Sequence, residues 1–432
     1  MIVFYLFAAA AATATAVTSL EHDLQRIVSS AAATNNCSVS LSVCQDGLAS
    51  PGISVSVAGG VVDGSVAKAL PSDVYAWGSV TKTITGAAIM RLVADGKLSL
   101  DDRAHKYIDP VLAGSVYPYT SLESLFSADR WAVKASTAYN ATDITIRHLI
   151  GMNSGVTDYD TDAYRHLQYS HPMVGFSPLD ILDFVHGPLM FEPGGPVPAR
   201  PSHHHHFHLD KSYCSVNFIL LGLVLSNFQQ VPWEELDQRA VLPPALRRSV
   251  NFTDQKSLCS RYTGRLHAFD RASYAAASAP VDVSDVNCFG GWTAGNVMMS
   301  AKAAADWTLA LYGPHAEVIP REFVQQMVPG PNESFYGLAT FNLTGHYANG
   351  TQGQAWGHLG DTYGFTSVVA YFPWANVSIA VATNVESYQQ SAPSAVTCLA
   401  YNRVLDDLAH RSPRRCAYVP GSYYGGGCQC SK

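Results

Sequence analysis

The chain has 432 residues, of which 47% are apolar and 14% are charged, so it is long enough to bury a large core. Its formal net charge is −7 and no basic stripe runs along it, which argues against nucleic acid as a partner. The low charged fraction, with 33 glycines and 23 prolines, favours a compact, loop-rich extracellular enzyme or binding protein.

The N-terminus reads MIVFYLFAAAAATATAVTSL, an apolar run that ends in the small residues Ala14-Thr15-Ala16. This pattern is typical of a signal peptide over residues 1–16, and it predicts a secreted protein or one in the lumen of the secretory pathway. The alternative is a buried N-terminal helix, because no Lys or Arg lies near Met1. No other apolar run approaches the roughly eighteen residues that span a bilayer, so we expect no transmembrane segment.

Two further patterns fit a secretory route. The chain carries seven Asn-x-Ser/Thr sequons, which predict N-linked glycans, at Asn36, Asn140, Asn251, Asn332, Asn342, Asn349 and Asn376. Nine cysteines suit an oxidising compartment, and their odd number leaves one unpaired. Cys37 with Cys44 and Cys259 with Cys288 would close short loops, although spacing alone does not establish connectivity.

Hydrophobic patterns predict the main elements in chain order. Residues 53–62 are β-branched and apolar, as in a strand, and residues 80–95 repeat apolar positions at helical spacing up to a capping Gly96. Residues 364–385 form two β-rich runs around a Pro-Trp-Ala-Asn turn, which predicts an antiparallel hairpin. Strands at both chain ends indicate an α+β fold: one antiparallel sheet built from both ends, with a helical lobe inserted at about residues 105–285.

A Ser-x-x-Lys tetrapeptide, Ser79-Val80-Thr81-Lys82, lies at the start of the predicted helix. On a helix the serine and lysine side chains share one face, a turn apart. A lysine in a dry site can lose its proton and act as the base for the serine hydroxyl. Ser65-Val66-Ala67-Lys68 also matches, but Pro71 follows it and cannot continue a helix, which favours Ser79.

The segment YAWGSVTKTITGAAIMRLVADGKLSLDDRAHKYIDP closely resembles the nucleophile helix of the serine β-lactamase and penicillin-binding-protein superfamily. The similarity is nearest to its class C, esterase and D-alanyl-D-alanine carboxypeptidase branch. Further matches follow in the family's order over about residues 50–410: ITIRHLIGMNSGVTDY, YCSVNFILLGLVL, GGWTAGNVMMSAKAAADW and WGHLGDTYGF. The resemblance implies the β-lactamase/transpeptidase-like fold in a hydrolase domain over residues 17–412, with no cofactor. A Cys- and Gly-rich tail follows at 413–432.

The resemblance also implies roles for individual residues. Ser79 corresponds to the acylated nucleophile and Lys82 to its base partner. Tyr213 corresponds to the tyrosine of the Tyr-x-Asn motif, which moves protons between nucleophile and leaving group. Here that motif reads Tyr213-Cys214-Ser215, and the serine in place of asparagine argues against recognition of a β-lactam amide.

Two other stretches compete for this second motif. Tyr347-Ala348-Asn349 matches Tyr-x-Asn, but Asn349-Gly350 is typical of a hairpin turn and Asn349 is a sequon, so we expect a surface position. Ser215-Val216-Asn217 matches the Ser-x-Asn motif of other branches and remains an alternative.

The third family motif, Lys-Thr-Gly or His-x-Gly, is represented by His358-Leu359-Gly360. By resemblance, Gly360 permits close approach of the substrate, and the backbone N–H groups of Ser79 and Asp361 form the oxyanion hole. A histidine with an ordinary pKa of about 6.5 would offer a positive charge to a substrate carboxylate mainly in acidic medium.

Five of the 16 histidines lie within residues 203–208, between Pro193-Gly194 and Tyr213, where the family has only a short turn. A solvated loop is favoured over a zinc site, because adjacent histidines cannot all point at one ion and no acidic or cysteine partner has suitable spacing. We therefore expect no metal, and we interpret the chain as a secreted, glycosylated serine hydrolase. It would cleave an ester or small peptide amide, such as a D-amino-acid peptide, through an acyl-enzyme at Ser79. The alternative is a non-catalytic or His-rich metal-binding extracellular protein that keeps the fold.

Overall fold

A computed structural model of the chain describes residues 2–45, 52–64, 66–131, 139–197, 211–270, 280–330, 334–386 and 390–408. The strands of these residues are β1 Val39–Gln45, β2 Ser54–Gly59, β3 Tyr75–Ala76, β4 Val250–Phe252, β5 Phe269–Asp270, β6 Val281–Asp282, β7 Val297–Met299, β8 Phe341–Asn342, β9 Trp356–Thr362, β10 Phe365–Phe372 and β11 Val377–Thr383. The α-helices are α1 Ile2–Asn35, α2 Thr81–Ala94, α3 His105–Ala113, α4 Leu122–Leu125, α5 Ile146–Ile150, α6 Asp162–Ser170, α7 Pro178–Asp183, α8 Val216–Gln229, α9 Ser260–Thr263, α10 Ala301–Tyr312, α11 Arg321–Met327 and α12 Ser391–Asp407.

The main sheet combines strands from both ends of the chain. Its order is β2-β1-β11-β10-β9-β8, and every neighbouring pair is antiparallel. The predicted hairpin is confirmed, since β10 and β11 pair with Phe372 opposite Val377 around the turn. The predicted strand at 53–62 is β2, which ends before Gly60, where φ is +86°. The sheet, with helices α3 to α9 inserted between its two halves, confirms the α+β interpretation.

Helices cover the sheet on both faces. On one face α1 contacts β1, β2 and α12, and α12 also contacts β10 and β11. On the other face α10 packs against β1, β10 and β11, and the Ser378 hydroxyl of β11 donates to the Ala305 carbonyl of α10 at 2.7 Å. Every residue of β10 and β11 is buried, because a sheet covered on both faces has no solvent side. The two strands therefore read as nearly continuous apolar runs rather than as alternating ones.

Helix α1 includes the segment predicted to be a signal peptide. Its residues Leu20, Leu24, Val28 and Ala32 recur every four positions and are buried, so they form one face that packs on the sheet. Cleavage after residue 16 would leave this face in place, and the cleavage itself stays a prediction. No helix in the described part of the chain combines the length and apolar character that a membrane span requires.

One of the two suggested disulfides is present. Cys259 and Cys288 are bonded, which joins the segment before α9 to the loop that leads to β7. The suggested pairing of Cys37 with Cys44 is wrong, because the Cys44 thiol instead donates to the Asp306 carboxylate on α10 at 3.1 Å. The Cys- and Gly-rich tail at 413–432 lies outside the described residues.

Candidate active site

Ser79 lies in a tight turn that leads directly into α2. The turn is a single 3₁₀ turn over Gly78–Val80, and the Thr81 hydroxyl closes it by donating to the Gly78 carbonyl at 2.7 Å. The preceding Trp77 is fully buried, and its indole N–H donates to the Met299 carbonyl of β7 at 2.8 Å. Ser79 itself is partly exposed. The fold therefore holds this hydroxyl at the N-terminus of a helix, where the helix dipole favours negative charge.

Lys82 lies one turn further along and is completely buried. Its ammonium nitrogen donates to Ser79 Oγ at 2.8 Å, to the Ala294 carbonyl at 2.9 Å and to Ser215 Oγ at 3.2 Å. These three acceptors match the three N–H bonds of a protonated lysine. When Lys82 loses a proton, its lone pair must face Ser79 or Ser215, because the Ala294 carbonyl can only accept a hydrogen bond.

Burial allows Lys82 to lose a proton near neutral pH. Removal of water lowers the pKa of Lys82 from its ordinary 10.5 to about 8, although the nearby Asp158 and Asp160 charges oppose the shift. A lysine with a pKa near 8 spends part of its time as a neutral base at pH 7. It is also within hydrogen-bond reach of the serine that it would deprotonate.

Ser215 and Tyr213 take different positions beside Lys82. Ser215 lines the cavity, and its backbone N–H donates to the Asp158 carboxylate at 2.9 Å. The Tyr213 ring centroid lies 5.2 Å from the Lys82 nitrogen, and the ring stacks on Phe341 at 5.5 Å. Ser215 thus occupies the place expected for the motif's asparagine, next to the lysine. Tyr213 adjoins the lysine as part of an aromatic wall.

The other predicted tyrosine position differs from what we expected. Tyr347 is fully buried, and its ring packs on Phe372 at 5.9 Å, so the expectation of a surface position is wrong for this side chain. Asn349, at the end of the tripeptide, is exposed. It precedes a 3₁₀ turn over Gly350–Gly353 rather than a hairpin. Tyr347 does not line the cavity that contains Ser79 and Lys82.

Strand β9 brings Asp361 beside the Ser79 turn. Gly78 has φ +50°, and a Cβ atom on it would lie 2.9 Å from both the backbone N and O of Asp361. The absence of a side chain at Gly78 therefore allows the turn to approach the strand. Gly360 serves the same contact, because a Cβ there would lie 2.1 Å from the Trp77 carbonyl and 2.2 Å from Ser367 Oγ. The need for glycine at 360 thus comes from protein packing rather than from a substrate.

His358 does not line this cavity and does not carry the expected charge. Its Nδ1 lies 2.7 Å from the Leu359 carbonyl, which can only accept, so Nδ1 bears the proton and Nε2 accepts from the Tyr336 hydroxyl at 3.0 Å. Burial, with a smaller effect of the Lys82 charge, lowers the pKa of His358 to about 3. The imidazole therefore stays neutral between pH 5.5 and 8, and the acid-dependent reading of a substrate carboxylate by His358 has no basis in this geometry.

Ser79 and Lys82 line a cavity whose far side is charged. Asp160, Arg165, Asp361 and Glu386 all line it. The Arg165 guanidinium holds Asp160 with two hydrogen bonds, of 2.8 and 3.0 Å, and lies 3.9 Å from Glu386. Although burial opposes it, the Arg165 charge lowers the pKa of Asp160. Three separate segments of the chain thus bring these four charged side chains into the cavity wall.

The two remaining carboxyl groups hold protons more tightly than usual. Asp361 is open to the cavity, yet the surrounding protein displaces enough water to raise its pKa to about 7. Burial and the neighbouring Asp361 and Asp270 charges raise the pKa of Glu386 well above its usual range. A hydrogen bond from Glu386 to Asp361 joins the two groups, so they share a proton near neutral pH.

A metal centre finds no support in the part of the chain that the structure covers. Among those residues, no group of three or more His, Cys, Asp or Glu side chains is arranged to hold an ion. The histidine cluster at 203–208 lies outside the described residues, as does Ser65 of the competing Ser-x-x-Lys match.

The family model of beta-lactamases matches residues 43–397, a range that contains Ser79, Lys82, Tyr213 and Asp361. The chain belongs to the beta-lactamase family. No curated protein sequence matches it.

Solved structures show the same fold at low sequence identity. A D-stereospecific amidohydrolase from Streptomyces sp. is 18% identical with a TM-score of 0.62, over 88% of this chain and 98% of that one. A D-amino acid amidase from Ochrobactrum anthropi SV3, complexed with L-phenylalanine amide, is 16% identical with a TM-score of 0.64, over 90% and 99%. An octameric penicillin-binding protein homologue from Pyrococcus abyssi is 18% identical with a TM-score of 0.62, over 89% and 77%. The β-lactamase/transpeptidase-like fold expected from the sequence is thereby confirmed.

Membership of the beta-lactamase family makes the chain a hydrolase of the serine type. Ser79 and Lys82 were predicted together from the sequence, and the structure brings them into contact. Arg165 and Glu386 were not predicted as site residues, since neither lies in a recognisable motif. For Glu386 one signal was available, because it is an acidic residue shortly after the apolar run of β11, separated from the strand by Asn384 and Val385.

Proposed function

We propose that the protein is a secreted serine hydrolase that cleaves an ester or a small peptide amide through an acyl-enzyme at Ser79. The contact of 2.8 Å between the Lys82 nitrogen and Ser79 Oγ, with a lysine pKa of about 8, is the observation that carries this proposal. It joins a nucleophile with a base, and both residues line the same cavity.

The residues suggest an order of events. Neutral Lys82 takes the proton of the Ser79 hydroxyl while Oγ bonds to the substrate carbonyl carbon. The backbone N–H groups of Ser79 and Asp361 would stabilise the negative oxygen that forms. Lys82 then returns the proton, through Ser215 or Tyr213, to the departing amine or alcohol. Water finally cleaves the Ser79 ester by the same proton transfers in reverse and releases a carboxylic acid.

An amide or ester is a better candidate substrate than a β-lactam. Ser215 stands where the family motif has asparagine, and its short hydroxyl, which already accepts from Lys82, has one donor where an asparagine side chain offers a carbonyl and an NH₂ group with two donors. Two of the solved structures similar to this chain are named for the hydrolysis of D-amino-acid amides or for D-stereospecificity. These names support a small D-amino-acid amide or peptide as the first substrate to test.

Secretion and glycosylation are part of the proposal. The predicted signal peptide supports secretion, and Asn36, Asn140 and Asn349 are exposed, as glycan acceptors must be. Release of the mature chain into the medium of expressing cells, with a mass that falls after treatment with an N-glycosidase, would support both statements.

The test of the hydrolase proposal is covalent labelling with a fluorophosphonate, read by the intact mass of the protein. We expect one adduct, located at Ser79 by peptide mapping, which Ser79→Ala abolishes. The matched control is Ser65→Ala, which removes the serine of the other Ser-x-x-Lys match and should leave labelling intact. Labelling should also survive a chelator. Absence of an adduct on the wild-type protein, or turnover that a chelator abolishes, would refute the proposal and favour a non-catalytic or metal-binding protein.

A further inference from the structure

The charged side of the cavity lies next to the reacting atoms. Asp361 is exposed to the cavity, and its own backbone adjoins the Ser79 turn at Gly78. A substrate carbonyl held at Ser79 would therefore place the atoms bonded to its carbonyl carbon near the Asp361 carboxyl group. The described groups that act on Asp361 are Arg165, Asp160, Asp270 and Glu386, together with Gln390, which donates to Oδ2 at 3.1 Å.

A second, independent feature of the same cavity is an unused hydroxyl group. Tyr164 is 2% exposed and lines the cavity, and its hydroxyl has no hydrogen-bond partner among the described residues. A Cβ atom on Gly290 would lie 2.5 Å from this hydroxyl, 2.5 Å from Gln168 Nε2 and 2.7 Å from the Tyr363 hydroxyl. The glycine thus leaves a small polar recess in the cavity wall. A buried hydroxyl without a partner is costly, and a ligand group that forms a hydrogen bond with it would reduce that cost.

The charged side chains in the cavity wall favour a ligand with a positive charge. The wall contains three carboxyl groups, those of Asp160, Asp361 and Glu386, and one guanidinium group, that of Arg165. Both hydrogen bonds described above for Arg165 go to Asp160. The carboxyl oxygens of Asp361 and Glu386 can therefore accept hydrogen bonds from a ligand, and little positive charge lies near them. With one shared proton the pair keeps a negative charge near neutral pH, which would attract a bound cation and repel a bound anion.

We propose that this side of the cavity is a subsite for an ammonium group of the substrate, bound by the Asp361 and Glu386 carboxyl pair and by the Tyr164 hydroxyl. The inference rests on the proposed function and adds the class of substrate: a small amide or ester that carries a primary amine. Two ammonium groups of a substrate could occupy this subsite: the α-ammonium group, or the ammonium group of a lysine side chain. Because Asp361 adjoins the reacting centre, the α-ammonium group would lie closer to it.

Binding is measured by calorimetry at pH 7 on the Ser79→Ala protein, which cannot form an acyl-enzyme. Three probes differ in charge and in its position: D-phenylalanine amide with an α-ammonium, N-acetyl-D-phenylalanine amide without charge, and N-acetyl-D-lysine amide with a side-chain ammonium. We expect a cationic probe to bind at least about tenfold more tightly than the neutral one, as expected for a charge-assisted hydrogen bond in a partly enclosed site. The probe that gains this affinity identifies the source of the ammonium group.

Substitutions test which side chains cause the preference for a cationic probe. Asp361→Asn and Tyr164→Phe, each combined with Ser79→Ala, should reduce the cationic preference, and Tyr164→Phe should not lower the melting temperature, because it removes an unpaired hydroxyl. The control is Asp95→Asn, which changes an exposed carboxylate beyond the end of α2 and should leave the preference intact.

Three outcomes would overturn the subsite: equal affinity for the neutral and cationic probes, no measurable binding of any probe, or a preference that survives Asp361→Asn. Fluorophosphonate labelling of wild-type Ser79 is a separate measurement. A labelled protein without cationic preference refutes the subsite alone, whereas an unlabelled protein refutes the hydrolase proposal.

Discussion

The rate at which Ser79 is acylated should follow the protonation state of Lys82. Burial lowers the pKa of this lysine to about 8, so the folded protein favours the neutral form that can accept the serine proton. With that pKa, the neutral fraction is about 1% at pH 6 and about 50% at pH 8, a rise of about fiftyfold. A lysine at its ordinary pKa of 10.5 would be almost fully charged over the whole of this range.

The assay uses an uncharged fluorophosphonate, so that Asp361 and Glu386 do not interact with a charge on the reagent. Second-order labelling rates are measured from pH 6 to 9.5 and corrected for hydrolysis of the reagent in each buffer. The logarithm of the rate should rise with a slope of about one and level off above pH 8. A rate that is constant over this range, or that falls as the pH rises, would refute the role of Lys82 as the base.

A substitution at Asp158 tests the electrostatic cause of the Lys82 pKa. The Asp158 charge is the largest of the effects that oppose burial and stabilise the ammonium form of Lys82. Asp158→Asn should therefore move the midpoint of the rate profile to lower pH. The exposed Asp95→Asn is the matched control and should leave the midpoint unchanged. A shift to higher pH in Asp158→Asn would contradict the electrostatic account.

Two further predictions concern the motif residues. Tyr213→Phe should lower turnover by roughly a hundredfold, as expected for loss of a positioned proton-transfer group, whereas Tyr347→Phe should have little effect on turnover; equal losses would contradict the assignment of Tyr213. Gly360→Ala should lower the free energy of unfolding by about 1–3 kcal/mol through overpacking against Trp77, measured by urea denaturation. Gly114→Ala, where a Cβ meets neighbours only at 3.7 Å, is the control, and an equal loss there would contradict the packing argument.

Local patterns were sufficient where the chemistry is local. The helix predicted over 80–95 is observed as Thr81–Ala94, and Gly96 has φ +67°, as a residue that ends a helix often does. The spacing of Ser79 and Lys82 by three residues on that helix already implied that the two side chains would meet. The hairpin at 364–385 followed from two β-rich runs and one turn. In each case, residues close in the sequence determine the geometry.

The surroundings of His358, by contrast, could not be predicted from the sequence. His358 lies on β9 within the predicted third motif, but a three-residue pattern carries no information about which side chains will surround a residue. Tyr336 and Phe341, which come from the segment before β9, enclose the imidazole and remove its water. The resulting pKa of about 3 is a property of that enclosure and not of the motif.

The sequence by itself determined the family, because several motifs follow one another in the family's order and can be read without knowledge of the fold. It also predicted Ser79 as the nucleophile and Lys82 as its base, since their spacing on one helix places the two side chains on the same face. Only the tertiary structure decided what faces the substrate. Asp160 lies just before α6 and Arg165 lies within it, Asp361 comes from β9, and Glu386 follows β11. These three segments are separated in the chain, and their four charged side chains meet in one cavity wall. Their charges and pKa values depend on distances to one another and on excluded water, and both quantities exist only once the chain has folded.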